Sequence, residues 1–361
     1  MSSKARIIAF YLPQFYPTAE NDEWWGKGFT EWTNVGRAKP LFRGHYQPRV
    51  PADLGYYDLR LPEVREQQAA MAKDAGIEGF CYWHYWFGGG KRLLDRVFTE
   101  VLKSGKPDYP FCLCWANHSW YAKTWDPNKP PRMLMEQTYP GVEDYTEHFY
   151  TMLPAFKDKR YIKVNGQPLF GLFDPLAMKD IETFKKTWNR LAKENGLKDF
   201  LFFGYLPRPQ KEHEVLDHYD YVCTDYYSEA ITSKDEFVKR CVKWINSHIL
   251  HRPYIGMYKD YVDYMAKRVS DDRRRIPCLL PNYDHTPRSG KRGLLFHHST
   301  PALFENLMEQ TLKVRKNIPQ EENVIFIKSW NEWGEGNYLE PDLRYSKGYL
   351  NAIKTAIEHM D

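Results

Sequence analysis

No stretch of this 361-residue chain is apolar for long enough to cross a bilayer as a helix. Met1 to Lys4 run straight into a strand-like segment without the layout of a secretory leader, so a cytoplasmic location is expected, or a periplasmic or extracellular one if a leader was trimmed. A dominant charge sign is missing too. Fifty-one Lys and Arg against 47 Asp and Glu leave a formal +4, too little at this length to point to nucleic acid or membrane insertion. No Gly-x-Gly-x-x-Gly or Walker loop follows the first strand-like run, which argues against a dinucleotide or nucleoside triphosphate site. Histidines and cysteines show no zinc spacing, and there is no Gly-x-Ser-x-Gly elbow, so no metal, cofactor or activated serine is expected. His297 and His298 are adjacent and expected to point apart. The six cysteines are expected as buried free thiols suited to a reducing compartment, with Cys112 and Cys114 on opposite faces of their strand.

Aromatic rings are abundant instead. The chain carries 12 Trp, 26 Tyr and 20 Phe, more than a core of this size needs, and many sit beside polar residues. Hydrophobic content of 42% is that of a globular protein with a full core.

Short β-branched and aromatic runs alternate with helix-period segments. The strand candidates are Ile7–Leu12, Gly79–Trp83, Phe111–Trp115, Pro168–Phe173, Phe200–Tyr205, Tyr219–Thr224, Pro277–Pro281 and Val324–Lys328. Helices are expected over Pro62–Ala75, Arg92–Lys103, Val142–Phe156, Met178–Asn195, Lys234–His248, Pro301–Lys313 and Ser346–His359, with a weak one around Gln210–Leu216. Eight such units predict a parallel sheet closed into a (β/α)8 TIM barrel, an α/β fold, with an open doubly wound sheet as the alternative. No linker, low-complexity tract or repeat interrupts residues 1–361, so a single domain is expected.

Barrel enzymes place their chemistry where strands run out at the C-terminal face. The last strand runs out into Trp330-Asn-Glu-Trp-Gly-Glu-Gly336. Two carboxylates three residues apart, between indoles and glycines, suit a sugar ring with apolar C–H faces and a polar edge. Glu332 and Glu335 are therefore the candidate catalytic pair. The other strand ends supply the candidate substrate contacts: Tyr11, Trp83, His84, Trp86, Trp115, Asn117, His118, Asp174, Asp225, Tyr227, Asn282 and Asp284, joined by Trp330, Asn331 and Trp333. Singly, several have plainer readings: a packed histidine at His84, turn residues at Asp174 and Asp284. Lys328, in a strand buried on both faces, is expected to pair with one of the acids.

Phe10-Tyr-Leu-Pro-Gln-Phe15, Trp25-Gly-Lys-Gly-Phe-Thr-Glu-Trp32, Pro51-Ala-Asp-Leu-Gly-Tyr-Tyr57, Cys114-Trp-Ala-Asn117 and the Trp330–Gly336 motif with Tyr338-Leu-Glu-Pro-Asp342 together resemble the WbsX-like proteins. These are relatives of glycoside hydrolase family 99, the endo-acting α-mannosidases and α-mannanases. The resemblance runs from the first strand to the last. It implies a (β/α)8 barrel working on an α-linked oligo- or polysaccharide without a metal, with the motif's two catalytic carboxylates at Glu332 and Glu335. It further implies that Glu332 takes the proton of the sugar's 2-hydroxyl, forming a 1,2-anhydro sugar. WbsX-like proteins, often encoded among surface-polysaccharide genes, have been labelled glycosyltransferases, so transfer into O-antigen is the alternative activity, and glycan binding without catalysis a third. His118 departs from the pattern, standing where an acidic residue follows Trp-Ala-Asn.

Overall fold

The computed structural model describes residues 5–122, 132–207, 209–232, 244 and 252–360. Eight parallel strands form the central sheet: β1 (Arg6–Tyr11), β2 (Gly79–His84), β3 (Phe111–Trp115), β4 (Gln167–Leu172), β5 (Leu201–Tyr205), β6 (Tyr221–Thr224), β7 (Arg275–Leu279) and β8 (Val324–Ile327). Each pairs with its neighbour in sequence; β3 pairs with β4 through Leu113 and Phe170, and β8 returns to β1 through Val324 and Arg6. The sheet is closed, which excludes the doubly wound alternative. All eight expected strands are present, shifted by no more than a few residues.

A helix follows each strand: α1 (Pro62–Asp74), α2 (Arg96–Ser104), α3 (Val142–Lys157), α4 (Ile181–Glu194), α5 (Glu212–His218), α6 (Tyr258–Ala266), α7 (Pro301–Arg315) and α8 (Gly348–Glu358). Proline opens α1 and α7, where its missing N–H costs nothing. The expected helix Lys234–His248 lies, except for Trp244, outside the described residues. The weak signal near Gln210 is real: a 3-10 turn at Pro209–Lys211 leads into α5.

Residues two apart on a strand share a face, and this sorts the rings. Phe10 points into the barrel, stacked 4.6 Å from Trp83 and 4.9 Å from Phe326. On β4, Gly171 leaves the space that the Phe203 ring fills: a Cβ there would stand 2.2 Å from it. Cys112 and Cys114, being two apart, both face inward toward Cys81 rather than lying on opposite faces as expected. Five cysteines, Cys81, Cys112, Cys114, Cys223 and Cys278, are buried and free; Cys241 lies outside the described residues.

Candidate active site at the C-terminal mouth

β8 delivers Lys328 into the barrel mouth, and the chain then turns through the 3-10 segment Trp333–Glu335. Facing it, the long connection after β1 starts a short helix at Glu31, capped by the Thr30 side chain. From the connection after β7 comes Arg288, whose guanidinium gathers three carboxylates. Its Nε donates to Glu31 at 3.0 Å, Nη2 to Glu332 at 2.7 Å and Nη1 to Glu335 at 2.6 Å. Gly334 makes this convergence possible, since a Cβ on it would lie 2.0 Å from the Glu31 carboxylate and 2.9 Å from Arg288 Nε. Lys328 forms a second bridge, its Nζ 3.9 Å from both Asp225 and Glu335. Tyr205 donates its hydroxyl to Asp225 and accepts from Lys328 at 3.3 Å.

Burial pushes Glu332 up to about 7; Arg288 opposes that rise, while Glu335 and Glu31 add to it. Burial likewise raises Asp225 against the pull of Lys328. The cations stay charged: carboxylate neighbours outweigh desolvation and hold Arg288 and Lys328 above their ordinary values. Four carboxylates thus face two cations across one cleft.

Of the residues expected to meet substrate, the mouth brings together Glu332, Glu335, Asp225, Tyr227 and Trp83. Tyr227 packs 5.1 Å from Tyr283 and lies under Lys328, and Trp83 meets Tyr205 edge-on at 6.2 Å. His118 joins their rim, its ring 4.9 Å from Phe173, which stacks on Tyr205. Asp174 is exposed beside it, its backbone clamped by the Asn117 side chain at 2.8 Å in both directions.

The rest sit elsewhere, and for most of them strand parity is the reason. Tyr11 faces outward and donates to Gln68 of α1 at 2.7 Å. His84 points under α3, 2.8 Å from His148, where burial pulls it down to about 3, so it is a neutral packing residue. Trp86 lies flat against the same His148 at 4.6 Å and donates to Asp144, and Trp115 donates to the Trp86 carbonyl. Trp330 is fully buried against Phe80. None of these five rings can stack on a sugar. Asn331 ties β8 to β1 through both polar groups of Leu12, and Trp333 stacks 3.7 Å from Tyr338 while donating to buried Glu340. Asn282 holds the Tyr338 backbone. Asp284 accepts from His45 at 2.8 Å, Gln47 at 2.7 Å and Thr286, and is held down to about 2 because these bonds and Arg49 outweigh its burial.

Glu31 and Arg288 were not among the residues expected to carry chemistry or meet substrate. Both lie in connections that follow strands, and Glu31 sits inside the Trp25–Trp32 segment. The usable signal was the mismatch of acids: three carboxylates crowded into one mouth require a cation. Among the described residues one group could hold a metal, Glu305 and Glu309 of the outer helix α7 with His359 just past the end of α8.

Comparison with solved structures agrees with the closed barrel. Structures that share this fold include a glycoside hydrolase-like protein (TM-score 0.62, 14% identity, covering 98% of this chain and 94% of that one) and the GH99 endo-alpha-mannosidase from Bacteroides thetaiotaomicron (TM-score 0.57, 15% identity, 98% and 97%). The sequence profile of the family described as Glycosyltransferase WbsX matches residues 7–353, and the chain belongs to that family. Uncharacterized protein WxcX of Xanthomonas campestris pv. campestris is 33% identical over 98% of this chain and 50% of its own length, so the chain spans about half of that relative.

Proposed function

We propose that this barrel is a retaining glycoside hydrolase acting on an α-linked, mannose-like polysaccharide. The observation that carries the reading is the pairing of Glu332 and Glu335 on adjacent nitrogens of one guanidinium, with Glu332 buried and raised to about 7. A carboxylate with that affinity for protons is a better base than an ordinary one and can still be ionised near neutrality. Glu335, the more open of the two, protonates the departing glycosidic oxygen. Glu332 takes the proton from the 2-hydroxyl, O2 closes on C1, and the C1–O bond to the leaving sugar breaks. Water then opens the 1,2-anhydro ring: Glu335 accepts its proton as its oxygen bonds C1, and Glu332 returns a proton to O2. Both configuration and proton count are restored. The route needs a 2-hydroxyl trans to the leaving group.

The family description favours a second reading, transfer of a sugar into a surface polysaccharide. The charge balance counts against it. A nucleotide or lipid diphosphate donor would enter a mouth where four carboxylates face two already paired cations, and like charge repels. Five buried free thiols fit a reducing, cytoplasmic location. Incubation with a panel of α-glycans and O-antigen polysaccharides, read by mass spectrometry with and without nucleotide sugars, tests the reading. Shortened products without nucleotide sugar are expected; products only with it would install the transferase.

A further inference from the structure

Beyond the carboxylates, on the far side of the Glu335–Gly336 turn, lies a cavity of about 40 Å³. A single water needs about 10–15 Å³ on this measure, so the space suits a group of a few heavy atoms and excludes a whole sugar ring. Its walls come from the connections after β7 and β8, closed by residues 44–49 of the connection after β1. In (β/α)8 barrels the loops after the seventh and eighth strands are a recurrent seat for phosphate. Two helices of ample length begin at this wall. Ser299 directly precedes Thr300, the N-cap of the 15-residue α7, and Tyr349 is the second residue of the 11-residue α8. Their N-terminal ends favour negative charge.

The two acids of the lining are already engaged. Asp284 spends its oxygens on His45, Gln47 and Thr286, and Asp342 accepts from the Tyr46 and Tyr338 hydroxyls and the Arg344 and Tyr345 amides. Arg344 forms no ion pair among the described residues and lies over the Tyr46 ring at 4.7 Å. Arg49, buried, uses Nη1 on the Gly336 carbonyl, stands 3.9 Å from Asp284 through Nη2, and leaves Nε without a partner among the described residues. His297 and His298 do not point apart as adjacency alone led us to expect. A positive φ of 58° at His298 turns its ring back to 3.9 Å from that of His297. A left-handed backbone at a non-glycine residue costs energy, and here it brings a second imidazole beside the first.

We propose that this cavity binds a phosphate-type oxyanion, held by Arg344, Arg49, His297 and His298 at the N-termini of α7 and α8. The ion could arrive free or as part of a phosphorylated saccharide. Its occupancy would bear on the neighbouring turn, because Arg49 donates to the Gly336 carbonyl and the Asp284 amide donates to the Glu335 carbonyl at 2.7 Å. The site is independent of the hydrolase reading.

Isothermal titration calorimetry of the whole chain with inorganic phosphate and, separately, with a hexose 1-phosphate is the test. Saturable binding is expected that weakens about tenfold or more in both R344M and H298N, the loss of one charge-assisted contact. E332Q and E335Q should bind as the wild type does. Equal affinities would assign the site to the free ion, and a tenfold preference for the ester to a phosphorylated sugar. Absence of binding at millimolar concentrations, or binding indifferent to both R344M and H298N while their melting temperatures match the wild type, would overturn the proposal.

Discussion

Replacing Arg288 by Met removes the charge that lets Glu31, Glu332 and Glu335 share one small volume. The replacement keeps most of the side chain's bulk, so the effect is chiefly electrostatic. Taking one partner from a buried ion pair costs about 3–5 kcal/mol, because the remaining charge is left without compensation. For 361 residues the unfolding entropy is about 2.1 cal/mol/K per residue, or about 0.76 kcal/mol/K in all, so Tm should fall by about 4–7 °C at pH 7. The loss should depend on pH with a definite sign. Glu332 already has a folded-state value near 7 against an ordinary 4.5, so the folded form holds a proton there that the unfolded form releases first. Its stabilising protonated state is fully present below about 4.5 and is lost as pH rises through 7. Without Arg288 the carboxylates rise further, and the variant's deficit must be larger at pH 8 than at pH 5. Differential scanning fluorimetry at the two pH values measures this. A deficit equal at both, or no deficit, would refute the idea that Arg288 neutralises the cluster.

Three further outcomes are expected. Gly334→Ala should destabilise by about 1–3 kcal/mol through overpacking, since its Cβ must displace the Glu31 carboxylate, and it should also lower kcat by moving Arg288; unchanged kcat and Tm would mean that the Glu31–Arg288 contact is dispensable. If Glu332 is the base, kcat/KM should rise with pH through about 7, and a profile already flat from pH 5 to 8 would remove it from that role. Trp115→Ala should cost about 3–5 kcal/mol of stability and leave glycan affinity alone in the folded fraction, whereas Trp83→Ala should weaken affinity; the reverse pattern would contradict the assignment of faces.

The barrel was legible because its strands are short, apolar and regularly spaced, and because the turn after β8 breaks abruptly into polar residues. What was hard to read was direction. Tyr11, His84, Trp86, Trp115 and Trp330 were grouped with Trp83 and Tyr227 by their nearness to strand ends. Counting in twos from Phe10, Trp83 and Cys114 would have sent Tyr11, His84 and Trp115 outward under the helices. Glu31 and Arg288 were harder still, being 257 residues apart and joined only by folding. Lys328 was the exception: a lysine in a buried strand announces an acid partner, and it found two.

The central claim is that Glu332 and Glu335 carry the chemistry. The direct measurement is the rate of the Glu332→Gln and Glu335→Gln variants on whichever α-glycan the wild type cleaves, with binding followed alongside. Each variant should lose about 10²–10⁴ in rate while affinity stays within a few fold, and a 2-deoxy or 2-fluoro substrate should resist even the wild type. Undiminished turnover in both variants, or a glycosyl ester trapped on Glu332, would contradict the account.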